Sequence, residues 1–216
     1  MTVSTMLSLL SEGFVTSLLI FALTLLFSMP LGLAVMFGRR SRLTPLRGFI
    51  KAYISIMRGT PLMLQLMVVF YGPKLLLGVT VPGNWRFTAV IVAFVINYAA
   101  YFAEIYRGGI ESIPDGQYEA AKVLGFNKKQ TFFRIILPQV VKRIIPPMGN
   151  EFITLVKDTS LAQVIAVVEL LKVTNNWVSS AVSMVPFVIA AVFYLVMNGV
   201  VTRCFTIAEK RLSYYR

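Results

Sequence analysis

Five stretches of mainly apolar residues, separated by charged or turn-forming segments, dominate the chain. The first, residues 13–38, contains no charged residue. At ~1.5 Å per residue, a helix of this length exceeds the ~30 Å hydrocarbon core of a bilayer. The other four stretches cover residues 60–77, 87–106, 147–171 and 186–205. The pattern predicts an all-α integral membrane protein with five transmembrane helices.

Prolines and glycines set the predicted limits of these helices. Pro61 suits the first turn of the second helix, where no amide donor is needed. The segment Gly72 to Arg86 is rich in turn-forming residues and predicts an outer loop, as does the run 173–184. Pro146 and Pro147 lack amide donors, so we expect a new helix to start there.

The composition agrees with a membrane protein. Hydrophobic residues make up 57% of the 216 residues, and the mean hydropathy is +0.75. Soluble domains are only about half apolar. A net charge of +12 is also found in nucleic-acid-binding proteins, but no soluble recognition fold surrounds the basic residues here. We therefore expect no nucleic-acid partner.

The distribution of Lys and Arg predicts the orientation of the chain. Cytoplasmic loops are enriched in these residues. Of the 21 Lys and Arg residues, only Lys74, Arg86 and Lys172 fall in predicted outer segments. The N-terminus, which lacks the features of a secretory signal, is predicted to lie outside. The C-terminus is predicted to lie in the cytoplasm, anchored by Arg203, Lys210, Arg211 and Arg216.

A charged cytoplasmic loop is predicted over residues 107–138. Asp115 and Glu119 suit the positive N-terminal end of a short helix, and Gly125 suits its C-terminal end in the left-handed conformation. Phenylalanine and isoleucine then alternate with cations, a pattern typical of contact with membrane lipid at the headgroup boundary. These cations are Lys128, Lys129 and Arg134. By periodicity alone, an ordinary solvated loop is an equally good interpretation.

Within this loop, Glu119-Ala120-Ala121 is followed by Gly125 and then by Ile135, Leu137 and Pro138. This spacing resembles the EAA loop of the membrane permease subunits of bacterial ABC importers. Two further motifs resemble the polar amino acid branch, namely Arg107-Gly108-Gly109-Ile110 and Ser112-Ile113-Pro114. The resemblance covers nearly the whole chain. It implies a single permease domain over residues 1–216 with the type I ABC importer permease fold.

The resemblance also implies the partners. In this family, the EAA helix fits a cleft on a cytoplasmic ATPase, and here the docking residues would be Gly116, Glu119, Ala120, Ala121, Leu124 and Gly125. The implied assembly has two ABC ATPase subunits, an identical or similar second permease and an extracytoplasmic solute-binding protein, in the bacterial cytoplasmic membrane. ATP and Mg would bind to the ATPase. The chain has no G-x-x-x-x-G-K-[ST] motif, so we expect neither a cofactor nor enzymatic activity of its own.

Acidic residues inside the apolar stretches are the best candidates for a solute path, since each costs roughly 2.5 to 3.5 kcal/mol in a membrane. Glu151 and Asp158, seven residues apart, share one helix face about 10 Å apart along the axis. They are predicted to hold an ammonium or guanidinium group of a solute. A structural ion pair, for instance with Lys157, remains an alternative. Glu104 and Arg107, three residues apart, are predicted to pair with each other.

Several further polar residues are candidates for the path. Lys157-Asp158-Thr159-Ser160-Leu161 resembles a signature of the polar amino acid permeases that lies along the substrate path. The Thr159 and Ser160 hydroxyls can satisfy backbone carbonyls or a carboxylate if the helix loosens. Asn150 and Gln65 are additional candidates. Arg58, in a further family-like motif, either attracts a substrate carboxylate or, as we favour, holds the inner membrane interface.

The sequence therefore predicts the membrane subunit of an importer for a polar amino acid. The acidic pair favours arginine, lysine or histidine, while glutamine and cystine stay open. A stand-alone channel or secondary carrier would need no docking loop, and a purely structural subunit would have no need of acids in the bilayer. With one cysteine, Cys204, and no histidine, the usual zinc ligand sets are lacking, so we expect no metal site.

Overall fold

The computed structural model describes residues 3–212, and all regular secondary structure among them is helical, as predicted. The predicted C-terminal anchor Arg216 lies outside these residues. The long helices are α1 (Val3–Arg39), α4 (Trp85–Glu111), α7 (Leu137–Asp158) and α9 (Val185–Leu212). The shorter ones are α2 (Thr44–Gly59), α3 (Leu62–Leu77), α5 (Asp115–Val123), α6 (Lys128–Thr131) and α8 (Leu170–Ala181). A π-helical turn, Phe132–Ile136, precedes α7, and a 3₁₀ segment, Thr159–Ile165, follows it.

Helix α4 lies at the centre of the fold. Its large side chains Phe94, Tyr98 and Phe102 are buried, and it packs against α1, α3 and α7. The contact with α1 is the most extensive in the chain. A Cβ atom placed on Gly32 of α1 would lie 2.8 Å from Cβ of Phe102, so only glycine allows this approach. Small residues serve this purpose where membrane helices pack without a hydrophobic driving force between them.

Three of the described helices are long and apolar enough to cross a membrane, namely α1, α4 and α9. Helices α2 and α3 make a fourth crossing if they form one span, but they are bent by 111° at Thr60 and Pro61. Helix α7 is too highly charged to qualify, since it contains Lys142, Arg143, Glu151, Lys157 and Asp158. Five spans and the orientation of the termini therefore remain predictions.

The prediction that a helix starts at Pro146 and Pro147 was wrong. Helix α7 begins at Leu137 and continues through both prolines to Asp158. Two amide donors are lost, but packing is maintained on both sides of the prolines. Val140 is buried before them, and Met148 and Leu155 are buried after them. Packing of α7 against α4 and α9 thus overrides the local preference of proline to end a helix.

The remaining predicted boundaries also shift. The predicted helix over 147–171 ends at Asp158 and gives way to the 3₁₀ segment, which stops at Ala166 with φ of 59°. Helix α3 continues through Gly72 and Pro73, so that the first predicted outer loop shrinks to residues 78–84. The second one, 173–184, is mostly helical because Leu170, Thr174 and Trp177 share one buried face of α8.

Two adjacent glycines of α4 allow a test of the α4–α7 packing. A Cβ atom on Gly109 would overlap Cγ2 of Ile144, whereas one on Gly108 meets no atom within 4 Å. Alanine is favoured over glycine in a helix by up to about 1 kcal/mol. We expect Gly108→Ala to be neutral or stabilising and Gly109→Ala to destabilise by about 1 to 3 kcal/mol, as overpacking does. Thermal unfolding of the two purified variants in detergent measures the difference, and equal midpoints would contradict this packing.

Candidate functional site

The predicted acidic pair lies on the side of α7 that faces α4. Asp158 is the last residue of α7, and the buried Tyr98 donates a hydrogen bond of 2.8 Å to its Oδ2. Glu151 is also half-buried, and its charge interacts with that of Asp158 and with that of Arg58. Within residues 3–212, no ion pair joins either carboxylate to a Lys or Arg. Glu151 therefore lies within range of the charges of both Arg58 and Asp158, and Tyr98 holds Asp158.

Arg58, at the end of α2, lies between the acidic residues Glu104 and Glu151. Its guanidinium is 5.3 Å from the ring centroid of Tyr101, and its Nη1 is 3.9 Å from Oε2 of Glu104. Cation–π contacts of this kind hold a guanidinium in place. Since its charge also reaches Glu151, Arg58 connects Glu104 to the acidic pair.

Glu104 lies at the centre of a five-residue ion cluster near the C-terminal end of α4, which also contains Glu111, Arg39, Arg58 and Arg107. The predicted pair with Arg107 is confirmed, with Nη2 at 2.6 Å from Oε2 of Glu104. Nε of Arg39, at the end of α1, lies 3.7 Å from the other Glu104 oxygen. With Arg58, three cations converge on one carboxylate. The ends of α1, α2 and α4 therefore meet at Glu104.

Thr159 and Ser160 form the turn at which α7 changes into the 3₁₀ segment. The Thr159 hydroxyl donates to the carbonyl of Val156 at 2.8 Å, and the Ser160 hydroxyl donates to that of Lys157 at 2.7 Å. This confirms that these hydroxyls satisfy backbone carbonyls. Asn150, the residue before Glu151, is exposed. The hydroxyls therefore support the end of α7 next to Asp158.

Gln65 holds the bend between α2 and α3. Its Nε2 donates to the carbonyls of Met57 and Thr60 at 3.0 and 3.1 Å and to the Thr60 hydroxyl at 2.8 Å. Asn97 of α4 donates to Oε1 of Gln65 at 2.9 Å and to the same Met57 carbonyl at 3.0 Å. The amide of Gln65 is thus occupied by the bend, which brings Arg58 towards α4.

Sequence reasoning missed a third acid, Glu169. It is 0% exposed and caps α8, accepting hydrogen bonds from the amides of Leu171 and Lys172 at 2.8 and 2.7 Å. The hydroxyls of Ser17 in α1 and Tyr194 in α9 lie 3.4 Å from its Oε2. Glu169 therefore joins three helices. The sequence contained a signal for Glu169, namely an acidic residue in the apolar run before Leu170. It was missed because we predicted this segment as continuous helix.

The predicted docking residues lie mostly on an exposed surface. Helix α5 ends at Val123 with Leu124 as its C-cap, and Gly125 follows with φ of 77°. Phe126 N donates to the carbonyl of Ala121 at 3.0 Å, closing the helix as predicted. Leu124 is 72% exposed. The other exposed residues are Gly116, Glu119, Ala120 and Gly125. Ala121, by contrast, is 1% exposed, so its side chain packs inside the loop and cannot contact a partner directly.

This loop is firmly attached to α7. Ile113, Ile136 and Val140 form a small buried cluster that joins the end of α4, the π-helical turn and α7. Arg143 of α7 donates to the carbonyl of Ser112. Gln139 of α7 donates to Oε1 of Gln117 in α5 at 3.2 Å. The exposed surface of α5 is therefore connected to the helix that ends at Asp158.

Comparison with known proteins agrees with this arrangement. Residues 28–214 match the family described as "Binding-protein-dependent transport system inner membrane component". The chain belongs to this family. The predicted resemblance to ABC importer permeases is confirmed, and the chain is a transport permease subunit of a membrane protein complex rather than an enzyme.

Three similar proteins illustrate the relationship. L-cystine transport system permease protein TcyB of Bacillus subtilis (strain 168) is 36% identical over 209 residues, covering 95% of this chain and 87% of TcyB. Octopine transport system permease protein OccM of Rhizobium radiobacter is 38% identical over 193 residues, covering 85% of this chain and 79% of OccM. A chain of the "amino acid ABC transporter with histidines" has a TM-score of 0.87 and 31% identity, covering 98% of this chain and 100% of that one. This fold is that of an ABC importer permease.

The hydrogen bond from Tyr98 to Asp158 generates a prediction. Tyr98→Phe keeps the buried ring but removes the donor, and hydrogen bonds to charged groups contribute about 1.5 to 3 kcal/mol. We expect a clearly lower thermal midpoint of the purified protein. Tyr71→Phe is the matched control, since Tyr71 is 47% exposed. Equal midpoints for the two variants would show that this hydrogen bond does not hold Asp158.

Proposed function

We propose that this chain is the transmembrane subunit of an ABC importer that carries a cationic amino acid, such as arginine, lysine or histidine, into the bacterial cytoplasm. The observation that supports a cationic solute is the pair Glu151 and Asp158. Both carboxylates are half-buried beside α4, and neither forms an ion pair with a Lys or Arg in the described chain. Burial of a carboxylate without an ion-pair partner is costly even where a hydroxyl donates to it, as Tyr98 does to Asp158, so a passing cation offsets that cost.

The geometry also fits a solute with separated charges. Seven residues of helix place Glu151 and Asp158 about 10 Å apart along the axis. Asp158 is suited to the α-ammonium group and Glu151 to a side-chain cation. Arg58, whose charge reaches Glu151, is suited to the carboxylate of the solute. Asn150, Thr159 and Ser160 border this path, whereas Gln65 supports it by holding Arg58 through the bend.

Cystine is a second candidate. The names of the similar proteins differ in their solutes, being L-cystine for TcyB, octopine for OccM and histidines for the crystal structure. Cystine carries two ammonium groups and therefore also suits two carboxylates. The extracytoplasmic solute-binding protein that we expect to deliver the solute would add its own selection.

Energy for import comes, in this proposal, from ATP and Mg bound to two partner ATPase subunits. The exposed surface formed by Gly116, Glu119, Ala120, Leu124 and Gly125 is the proposed docking site. Because α5 is joined to α7, a change in the ATPase would move the end of α7 and with it Asp158. A second permease, identical or similar, completes the path across the cytoplasmic membrane. The proposed transport mechanism is therefore a rigid-body switch of the permease between two conformations.

Docking depends on the left-handed conformation of Gly125. Only glycine and, less readily, asparagine adopt φ near 77° without strain. We expect Gly125→Val to abolish co-purification of the ATPase and Gly125→Asn to retain most of it. Glu119→Lys should reduce co-purification by reversing an exposed charge, and the control Lys129→Gln should not. Retention of the ATPase by both Gly125→Val and Glu119→Lys would contradict this docking site.

Selectivity for cations depends on Glu151. We expect Glu151→Gln to weaken inhibition of uptake by arginine and lysine about tenfold, since a desolvated ion pair is lost, and to leave inhibition by glutamine unchanged. The measurement is uptake of a radiolabelled amino acid in a deletion strain, competed by a panel that includes cystine. Glu209→Gln, an exposed change in α9, is the control. If Glu151→Gln leaves the inhibition by every competitor in the panel unchanged, Glu151 does not belong to the solute path.

A further inference from the structure

A large groove lies between the cytoplasmic end of α1 and the loop that contains α5 and α6. Its volume is about 1360 Å³, larger than the pockets that hold most small ligands. The lining is mainly aromatic and aliphatic and includes Leu33 and Phe37 of α1, Phe133 of the π-helical turn, and Val140 of α7. None of the residues proposed above for the solute path lines it. The groove is therefore separate from that path.

The groove is open to its surroundings at its apolar residues. Phe37 is 67% exposed and Phe133 is 63% exposed. Leu33 and Phe37 belong to the uncharged stretch 13–38, so this end of the groove lies at the depth of acyl chains rather than of water. Apolar side chains exposed at that depth are solvated by lipid.

Three cations occupy the opposite, cytoplasmic rim of the groove. They are Arg40, just after α1, Lys122 of α5 and Lys128 of α6. In the part of the chain that the structure describes, none of them forms an ion pair. Arg40 also borders a smaller cleft that contains Glu111 and Asp115, but neither acid lines the large groove.

The order of these groups matches one kind of molecule. Leu33, Phe37 and Arg40 share one helix face and span about 10 Å, from the apolar interior to the cytoplasmic surface. A phospholipid of the inner leaflet has the same order, with acyl chains followed by a phosphate. Because the rim carries three positive charges, we propose that this groove binds an anionic phospholipid, with the acyl chains on the apolar wall and the headgroup phosphate at Arg40, Lys122 and Lys128.

A lipid in this position would contact both the membrane helices and the docking loop. Lys122 lies in α5, yet it projects into the groove rather than belonging to the proposed ATPase-docking residues. Tyr118, one turn before it, lines the groove as well. The bound lipid would therefore hold α5 against α1, so that anionic lipid supports the orientation of the docking surface.

The test is lipid binding to the purified full chain in detergent, counted by native mass spectrometry. Phosphatidylglycerol and phosphatidylcholine with the same acyl chains are the two probes. We expect one phosphatidylglycerol per chain to be retained at least tenfold more strongly than phosphatidylcholine. Each rim cation should contribute roughly fivefold to this preference. Binding of the two lipids with equal strength would overturn the proposal.

Three variants locate the site. The triple change Arg40→Gln, Lys122→Gln and Lys128→Gln should abolish the preference for phosphatidylglycerol. The matched control, Lys51→Gln with Lys129→Gln and Arg134→Gln, removes three exposed cations that do not line the groove and should keep it. Leu33→Trp retains every charge but fills the groove, and should reduce binding of both lipids. If the control variant loses the preference for phosphatidylglycerol to the same extent, the attraction is spread over the whole surface and the proposal is wrong. Unchanged lipid binding by Leu33→Trp would also overturn the proposal.

Other occupants give different results. If the ATPase or a second permease copy covers the groove, assembly of the complex will expel phosphatidylglycerol, and the lipid proposal is then wrong. We expect the lipid to remain bound in the assembled complex, because the proposed docking residues do not line the groove. The experiment does not depend on transport, so its failure leaves the proposed import function standing.

Discussion

The arrangement of this permease depends on one carboxylate, Glu104, towards the C-terminal end of its central helix α4. Three arginines from α1, α2 and α4 converge on it, at the depth where the apolar stretches end. Arg39 and Arg58 lie in the last turns of α1 and α2, where the helix dipole favours a cation. Glu104 lies between the three and offsets their mutual repulsion, and Glu111 also pairs with Arg107. The cluster therefore sets how closely these ends of the three helices approach one another.

The acidic pair and the loop that carries the proposed docking surface lie at opposite ends of one uninterrupted helix. Helix α7 has 22 residues and is therefore about 33 Å long. The loop containing α5 is attached to its first turns through Gln139 and Arg143, and Asp158 ends it. A helix that broke at Pro146 and Pro147 would leave the proposed docking surface free to move without the acidic pair. Its continuity allows both to move as one body, and Glu169 then fixes the chain beyond the 3₁₀ segment to α1 and α9.

Local patterns in the sequence predicted local structure well. The all-helical fold, the left-handed Gly125 and the Glu104–Arg107 pair depend on residues close to one another along the chain, and the structure agrees. Errors arose where distant packing decides the outcome. Pro146 and Pro147 stay helical because α4 and α9 hold both flanks of α7, and Gln65 is occupied by a bend that requires Asn97 of another helix. Periodicity alone contains no information on such partners, which is also why Tyr98 and Glu169 were missed.

The π-helical turn over Phe132–Ile136 has a consequence for the comparison of related chains. Such a turn closes its hydrogen bonds over five residues rather than four and thus accommodates one surplus residue without ending the helix. A homologue with plain α-helix at this place would align correctly only with a one-residue gap inside the helix. An ungapped alignment would rotate every later position of α7 by about 100°. Glu151 and Asp158 would then be matched with residues that point in another direction.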